Sequence, residues 1–475
     1  MKVLYVTSEA HPFAASGGLA DVAGSLPSAM RQRLVGARVV MPLYEAVPQE
    51  LRDQMTFVTS LSVPVAWRRQ YCGVFEARAN GVVYYLLDNQ YYFKRKGLYG
   101  HYDDAERFAF FSRAVLEMLP YIDFKPDVVN ANDWQSALVP VYYDLFYCHN
   151  EWYHGIKTVF TIHNIQYQGQ YGLELLEEVL GIPRDKSHVV EYEKCVNMMK
   201  GAIETAHAVT TVSPTYAGEI LDPWFAHHLD PILSQRQWKL SGILNGIDTD
   251  GYNPATDPDV YEKYDIDNFI EGKAKNKAEL QKRLGLPERP EVPMISMVTR
   301  MVPHKGLDLV RQSLETLLSA EDVQFVTLGS GDWEYETFFK EMQKKYPDKL
   351  CSCYGYIPEL SRKIYAASDI FLMPSKSEPC GLSQMISLRY GTIPVVRETG
   401  GLKDSITDSG DNLGNGFTFQ KYDADDMLNA IRRALEGFAV KEGWEVLVRR
   451  AMESDNSWGK SANAYIKLYK SLLKQ

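Results

Sequence analysis

The chain of 475 residues is too long for one hydrophobic core, so its length predicts roughly two to four domains. Apolar residues make up 45% and charged residues 24%, values that are ordinary for a folded protein and exclude an intrinsically disordered chain. A net charge of -10, from 51 basic and 61 acidic residues, argues against a nucleic-acid partner.

The N-terminus, the lengths of the apolar runs and the cysteines together predict a cytoplasmic location. Lys2–Thr7 begins a strand without a preceding charged region, apolar run and cleavage site, and no apolar run is long enough to span a membrane. Six cysteines in so long a chain do not form a disulfide framework. Cys351 and Cys353 lack a second pair at zinc-finger spacing, so we interpret them as strand residues.

The first half of the chain has the pattern of an α/β domain. A β-rich run, Lys2–Thr7, is followed by a glycine loop at Ser16–Gly18 and by a helical pattern from Leu19 to Met30, as in the opening of a nucleotide-binding unit. Further strands are predicted at 38–41, 82–87, 127–133, 157–164 and 206–213, and a helix at 105–119. Polar residues follow several strands: Glu9, Asn132, Asp133, His163 and Asn164. Such residues at one sheet edge predict one ligand crevice.

The same alternation begins again after Pro293. Strands are predicted at 294–300, 323–329, 350–354, 370–373 and 393–396, each separated by a helical pattern. We therefore predict an α/β fold with an N-terminal domain at residues 1–240, a C-terminal domain at 241–455 and a terminal segment at 456–475. That segment contains a helix with enough apolar positions to dock on a domain. Two such sets predict two parallel-sheet domains that face a cleft.

The stretch from Pro374 to Gln384 is the strongest candidate for a ligand site. It places Glu378 on a turn directly after a predicted strand, and Cys380–Gln384 then opens a helix. Free backbone N–H groups at a helix start bind anions, so a carboxylate beside them suits the sugar and the phosphate of a sugar nucleotide. The alternative is a turn bracketed by prolines that carries a solvated glutamate.

Two cations lie on a predicted strand-to-helix loop of the second domain. Arg300 and Lys305 are five residues apart and can point at one anion, such as a departing diphosphate. The alternative is a pair of solvated surface cations. Tyr356 offers a ring on which a base could stack, unless it is a core aromatic residue.

His163 has no serine or cysteine in a nucleophile elbow beside it. It is therefore either a structural histidine or a residue that contacts ligand in the crevice. No set of His, Cys, Asp and Glu residues has the spacing of a metal site, so neither a metal nor another cofactor is predicted.

Six spaced motifs together resemble bacterial glycogen synthases and plant starch synthases. They are Ser16–Val22, His163 and Asn164 with Tyr167–Gly169, Leu244–Asp248, Arg300 with Lys305 and Gly306, Glu378–Leu382 with Gln384, and Thr399–Leu402. This resemblance covers nearly the whole chain. It implies a two-domain GT-B fold without a metal. It also implies transfer of glucose from ADP-glucose to the non-reducing end of an α-1,4-glucan, with retention at the anomeric carbon.

The resemblance also implies roles for individual residues. Catalysis is assigned to Glu378, Arg300, Lys305 and His163, with the two cations on the donor diphosphate. Substrate binding is assigned to Gly17, Gly18, Asp21, Asp133, Asn164, Asn245, Tyr356, Cys380, Gly381 and Leu382. Among these, Tyr356 is expected near the adenine and Asp133 near the acceptor.

One motif departs from the family pattern. The family's first motif begins with a lysine two residues before the Gly-Gly pair, and here that position is Ala15. This leaves two alternatives to an ADP-glucose enzyme: a transferase that uses UDP-glucose or another sugar nucleotide, and a weakly active glucan-binding paralogue.

Overall fold

The computed structural model describes residues 1–474, which form two compact units. The first unit contains Met1–Asn245 and the C-terminal helix that begins at Trp458, and the second contains Gly246–Ser457. None of the helices within residues 1–474 combines the length and the apolar character needed to cross a lipid bilayer.

The first unit is built on a nine-stranded sheet and a small three-stranded sheet. Its strands are β1 Lys2–Val6, β2 Gly36–Pro42, β3 Thr56–Val65, β4 Arg68–Ala79, β5 Val82–Asp88, β6 Val128–Asn132, β7 Lys157–Ile162, β8 Gln170–Tyr171, β9 Glu191–Tyr192, β10 Cys195–Asn197, β11 Ala208–Thr211 and β12 Leu240–Gly242. The large sheet has the order β12-β11-β7-β6-β1-β2-β5-β4-β3. It is parallel except for the antiparallel β3–β4 hairpin at one edge, which also pairs antiparallel with β5.

Helices cover the faces of this sheet because their apolar residues recur at helical spacing. They are α1 Gly18–Arg31, α2 Gln49–Arg52, α3 Gln90–Phe93, α4 Asp104–Met118, α5 Leu138–Tyr142, α6 Leu175–Glu178, α7 Met198–Thr205, α8 Pro214–Glu219 and α9 Asp230–Gln235. In α1, for example, Leu19, Val22 and Leu26 are buried. At the start of α8 the Ser213 side chain accepts a hydrogen bond from the Tyr216 N–H, as an N-cap serine does.

The second unit contains a six-stranded sheet whose strands are all parallel. They are β13 Met294–Val298, β14 Gln324–Leu328, β15 Leu350–Cys353, β16 Ile370–Met373, β17 Ile393–Arg397 and β18 Phe417–Phe419. Their order is β15-β14-β13-β16-β17-β18, the doubly wound arrangement of a nucleotide-binding domain. The strands are short and almost wholly apolar because helices cover both faces.

Eight helices are described in the second unit, and one more closes the chain. They are α10 Phe269–Leu284, α11 Leu307–Ala320, α12 Trp333–Lys345, α13 Pro358–Ala367, α14 Ser383–Arg389, α15 Gly400–Ser405, α16 Ala424–Ala439, α17 Lys441–Glu453 and α18 Trp458–Leu472. Gly285 ends α10 in the left-handed conformation. In the first unit α18 packs against α1, and its Tyr469 hydroxyl accepts a hydrogen bond from Asn130, 2.8 Å away.

Each large sheet has a topological switch point, where the direction of strand order reverses. In the first unit it lies between β1 and β6, and in the second it lies between β13 and β16. Ligands of open α/β sheets bind beyond the carboxyl ends of the strands at such points. Functional side chains are therefore expected on the loops that follow these four strands.

Candidate functional site

The switch point of the second unit brings together the loops that follow β13 and β16. Gly306 has a positive φ of 76°, and a Cβ on it would lie 2.0 Å from the Pro374 carbonyl oxygen. Only glycine therefore allows this close approach of the two loops. A backbone hydrogen bond of 2.9 Å from the Lys376 N–H to the His304 carbonyl adds to their contact.

This approach places the Lys305 ammonium on the Glu378 carboxylate. Lys305 Nζ lies 2.9 Å from Oε1 and 2.7 Å from Oε2 of Glu378, and the Ser375 hydroxyl donates to Oε2 at 2.9 Å. Glu378 is only 7% exposed. Burial alone would raise its pKa, but Lys305 and Ser375 outweigh burial and hold the pKa below its ordinary value. Glu378 is thus a buried, ionised carboxylate, which contradicts the alternative of a solvated glutamate.

Arg300 lies on the same loop as Lys305 but is not part of this ion pair. It is exposed, and within residues 1–474 its side chain makes no hydrogen bond or salt bridge. Between the two cations, His304 has a lowered pKa because it is partly buried and lies near Lys305. The loop therefore presents one exposed guanidinium and one ammonium that is already neutralised by Glu378.

The turn after Glu378 is held by side-chain and backbone contacts. The Gln384 side-chain amide donates to the carbonyls of Cys380 and Gly381, both at 3.1 Å, and its buried Oε1 has no partner among residues 1–474. Cys380 is buried, and Leu382 precedes the first residue of α14. The Gly401 N–H donates to the Glu378 carbonyl at 3.1 Å, which fixes the turn against the start of α15.

In the first unit, a buried carboxylate holds the glycine loop between β1 and α1. Glu9 Oε2 accepts hydrogen bonds from the backbone N–H and the hydroxyl of Ser16, both at 2.6 Å. Burial raises the pKa of Glu9 and these two hydrogen bonds oppose the rise. Ala15, Gly17 and Gly18 are exposed beside it. The loop therefore leaves its glycine backbone open to a ligand while Glu9 anchors it.

The loops after β6 and β7 form a second cluster at the same switch point. Asp133 has a positive φ of 55°, and its Oδ1 accepts from the backbone N–H groups of His163, at 2.7 Å, and Asn164, at 3.3 Å. Burial raises the pKa of Asp133 to about 7, with a smaller contribution from the Glu9 charge. His163 Nε2 lies 2.9 Å from Asn132 Oδ1. Asp133, His163 and Asn164, which the sequence singled out, are thus brought together.

The remaining predicted residues lie at separate positions. Asp21 forms a surface pair with His11, with Nε2 and Oδ1 3.4 Å apart. Asn245 is buried, and its Oδ1 has no hydrogen-bond partner within residues 1–474. Tyr356 is 93% exposed on the loop after β15, so it is not the core aromatic residue of the alternative interpretation.

Sequence reasoning assigned no contact to four residues of these clusters: Ser375, Ser16, Gln384 and Asn132, the last of which it noted only as a polar residue at a strand end. The first three hold the Glu378 and glycine loops, and each lies within a motif that the sequence displays. Their presence between the noted residues was a signal, but their partners depend on how the loops fold. Across residues 1–474, no group of three His, Cys, Asp or Glu side chains is arranged to hold a metal ion.

Comparisons with known proteins agree along the entire chain. The family model described as starch synthase catalytic domain matches residues 2–235, and that of glycosyl transferases group 1 matches residues 276–443. A glycogen synthase from Bacillus cereus is 50% identical over 477 residues, with 100% of both chains covered. A glycogen synthase from Geobacillus stearothermophilus is also 50% identical, with 100% of this chain and 98% of the relative covered.

Two solved structures are similar to the whole chain. The catalytic domain of starch synthase IV from Arabidopsis thaliana, bound to ADP and acarbose, has a TM-score of 0.90 and 34% identity, with 100% of this chain and 99% of that one covered. Sucrose-phosphate synthase from Thermosynechococcus elongatus, at 15% identity and a TM-score of 0.60 with 100% and 99% covered, shares the fold.

Two α/β units with polar loops at their switch points, and these structural neighbours, define a GT-B glycosyltransferase. The 50% identity to two glycogen synthases over the whole length of this chain makes the assignment more specific. The chain belongs to the family of bacterial glycogen synthases and plant starch synthases, glucosyltransferases that extend a glucan.

Proposed function

We propose that this protein transfers glucose from ADP-glucose to the non-reducing end of an α-1,4-glucan with retention at the anomeric carbon. The observation that carries the proposal is the contact between Lys305 and the buried Glu378 carboxylate, with Arg300 exposed on the same loop. An ionised carboxylate accepts hydrogen bonds from sugar hydroxyls, and two cations stabilise a diphosphate. These are the two chemical parts of a sugar-nucleotide donor.

In the proposed reaction, the bond from the anomeric carbon to the diphosphate oxygen breaks as the bond to the acceptor 4-hydroxyl oxygen forms on the same face. The hydroxyl proton passes to the departing diphosphate, so no protein nucleophile is required. Negative charge grows on the leaving oxygens, and we assign its stabilisation to Arg300 and Lys305. Fixed donors of this kind contribute about 3–4 kcal/mol each to transition-state stabilisation.

The Lys305–Glu378 pair has a further consequence for donor binding. Lys305 cannot give its full charge to a phosphate while both Glu378 oxygens hold it. Hydroxyl groups of the sugar can supply hydrogen bonds to Glu378 in its place, which frees part of the ammonium for the diphosphate. Sugar binding and phosphate binding are therefore coupled through this pair.

We assign the other predicted residues by the family resemblance. The Gly17 and Gly18 amides contact a phosphate oxygen, His163 and Asn164 lie by the glucose, and Asp133 lies on the acceptor side. Tyr356 lies by the adenine, Asp21 and Asn245 contribute to substrate binding, and Cys380, Gly381 and Leu382 form the turn that carries sugar and phosphate contacts. The exposed ring of Tyr356 supports its assignment, as does the Oδ1 of Asn245, which lacks a hydrogen-bond partner in the described part of the chain.

We propose a cytoplasmic location on the basis of the cysteines. All six are described in the structure and none is in a disulfide, which fits a reducing compartment.

A second candidate function is transfer from UDP-glucose, and Ala15 is the observation that favours it. Ala15 is exposed on the glycine loop at a position where the family pattern has lysine, so this loop lacks one cation for the donor. Loss of that cation is also consistent with the third alternative, a weakly active protein that mainly binds glucan.

Nucleotide release from ADP-glucose and UDP-glucose, each with glycogen and with no acceptor, tests these three functions. The proposal predicts ADP release that depends on glycogen and exceeds UDP release. Faster UDP release than ADP release would identify UDP-glucose as the donor. Release that is equal with and without glycogen, or no release together with glycogen binding, would refute the proposed transfer.

A further inference from the structure

Asn132, at the carboxyl end of β6, has a side-chain amide whose orientation is determined by its neighbours. It is fully buried, and its Nδ2 lies 2.9 Å from the Val6 carbonyl oxygen and 3.2 Å from the Asn130 carbonyl oxygen. A carbonyl oxygen only accepts hydrogen bonds, so the atom that faces both carbonyls must be the amide nitrogen. The amide oxygen of Asn132 consequently faces His163.

The position of this oxygen determines where His163 carries its proton. Asn132 Oδ1 lies 2.9 Å from His163 Nε2, and an amide oxygen can only accept, so Nε2 must bear the hydrogen. Burial lowers the pKa of His163 to about 3, so the ring is neutral near pH 7 and has only this one N–H. Nδ1 therefore carries a lone pair. Nδ1 has no hydrogen-bond partner within residues 1–474, and the residue as a whole is partly exposed.

The backbone of His163 is held as firmly as its ring. Its N–H donates to Asp133 Oδ1 at 2.7 Å, and the adjacent Asn164 N–H shares that oxygen at 3.3 Å. Two consecutive residues of the β6 end thus hold His163, Asn132 through the ring and Asp133 through the backbone. The direction of the Nδ1 lone pair is fixed before any ligand binds.

We propose that Asn132 is a positioning residue that fixes His163 as a hydrogen-bond acceptor, through Nδ1, for a hydroxyl group of the bound sugar. This inference rests on the proposed function for the nature of the ligand. A lone pair selects a hydrogen-bond donor, and sugar hydroxyls donate whereas phosphate oxygens only accept. His163 therefore contacts the sugar and not the diphosphate, and it neither gives nor takes a proton near pH 7.

The first test measures the tautomer of His163 directly. The protein contains ten histidines, and ¹⁵N-labelling of histidine with a His163→Gln variant for assignment isolates the two ring nitrogens of His163 in NMR spectra. The expected result is a neutral ring with hydrogen on Nε2 between about pH 5 and 8. A hydrogen on Nδ1, or a protonated ring at pH 6, would overturn the proposal without any variant of Asn132.

The second test changes Asn132 to aspartate. The new carboxylate beside the Nε2 hydrogen stabilises the protonated imidazole, so the His163 pKa rises and Nδ1 becomes a donor as the pH falls. We expect kcat/KM for ADP-glucose in Asn132→Asp to fall at least about tenfold more than in the parent between pH 8 and pH 6. A role limited to fold stability would lower the unfolding temperature without adding this acidic limb, and that outcome would contradict the proposal.

Asn130→Asp is the matched control. Asn130 lies two residues earlier on the same buried strand, and its side chain contacts Tyr469 and Thr161 but not His163. Asn130→Asp should lose stability and keep the parental His163 tautomer and pH profile of kcat/KM. If kcat/KM of Asn130→Asp showed the same extra fall at low pH, the effect of Asn132→Asp would not be specific to His163. A parent protein that releases no ADP from ADP-glucose would refute the proposed function, whereas the tautomer in that same sample decides the role of Asn132 independently.

Discussion

Replacing Glu378 with glutamine removes one buried charge and leaves the size of the side chain almost unchanged. The structure predicts three separate consequences, because Glu378 holds Lys305 and Ser375 in addition to its proposed contact with the sugar. Turnover should fall, the fold should lose some stability, and the affinity for ADP should stay the same or increase. The last expectation follows because Lys305 in Glu378→Gln no longer has a carboxylate that competes with phosphate.

The magnitudes follow from the contacts of the pair. Breaking a buried ion pair by removal of one partner costs about 3–5 kcal/mol. The glutamine amide oxygen still accepts from Lys305 or Ser375, and the Lys305 side chain is 17% exposed, so the expected cost is about 1–3 kcal/mol. In a unit of this size each kcal/mol lowers Tm by about 2–4 °C. Loss of charge-assisted hydrogen bonds to the sugar should lower kcat/KM on the order of a hundredfold.

The assays are thermal unfolding, calorimetric titration with ADP, and initial rates of ADP release with glycogen. Because the folded pKa of Glu378 lies below its ordinary 4.5, its stabilisation is present above pH 4.5 and is lost as the pH falls below that value. The stability difference between parent and variant should therefore shrink in acid. Ser375→Ala is the control, because it removes one hydrogen bond and keeps the charge. If ADP affinity fell as much as turnover, Glu378 would hold Lys305 for phosphate binding, and the reasoning would be refuted.

Three further predictions separate charge in the site from charge in the fold. Arg300→Ala should lower turnover by about a hundredfold or more without a change in Tm, because Arg300 is exposed. Lys305→Ala should lower both turnover and Tm, because Glu378 then lacks its cation. Equal effects of the two variants on Tm would contradict this difference. Asp133→Asn should raise the free energy of unfolding by about 1–3 kcal/mol at pH 8. The pKa of Asp133 is raised to about 7, so ionisation of this partly buried carboxylate destabilises the fold as the pH rises above 3.8. Unfolding of parent and variant at pH 4, where the difference should nearly vanish, is the comparison. Ala15→Lys should raise kcat/KM for ADP-glucose by the equivalent of about 1–2 kcal/mol of transition-state binding. An unchanged or higher KM for the donor, together with unchanged turnover, would show that this loop does not reach the donor.

The positions of the functional loops could be predicted from the sequence because they depend on local signals. Apolar runs that end in polar or glycine residues identify the ends of parallel strands, and Arg300, Glu378 and His163 all follow such runs. The strand order could not be predicted in this way. Lys305 and Glu378 are 73 residues apart in the chain, and they meet only because β13 and β16 are neighbours in the sheet.

The β3–β4 hairpin shows a different limit. Its two strands are joined by Ala66 and Trp67, and Ala66 has a positive φ of 52°. Two-residue hairpin turns usually carry glycine, asparagine or aspartate at such positions, because these residues tolerate positive φ. Without that signal the sequence predicts no hairpin, and the antiparallel edge of the first sheet was not foreseen.

Side chains of the site loops in both units are held by a neighbouring side chain through a hydrogen bond or an ion pair. Glu9 anchors Ser16, Asn132 orients His163, and Lys305 neutralises Glu378. Preorganised groups need little reorganisation when charge develops in the reaction. This low cost of reorganisation is what makes electrostatic stabilisation of the transition state effective. The Lys305–Glu378 pair differs from the other two, because its partners must partly separate for Lys305 to serve a phosphate. In the proposed function, sugar hydroxyls that bind Glu378 permit that separation, so we expect the ammonium to become fully available only when an intact sugar nucleotide is bound.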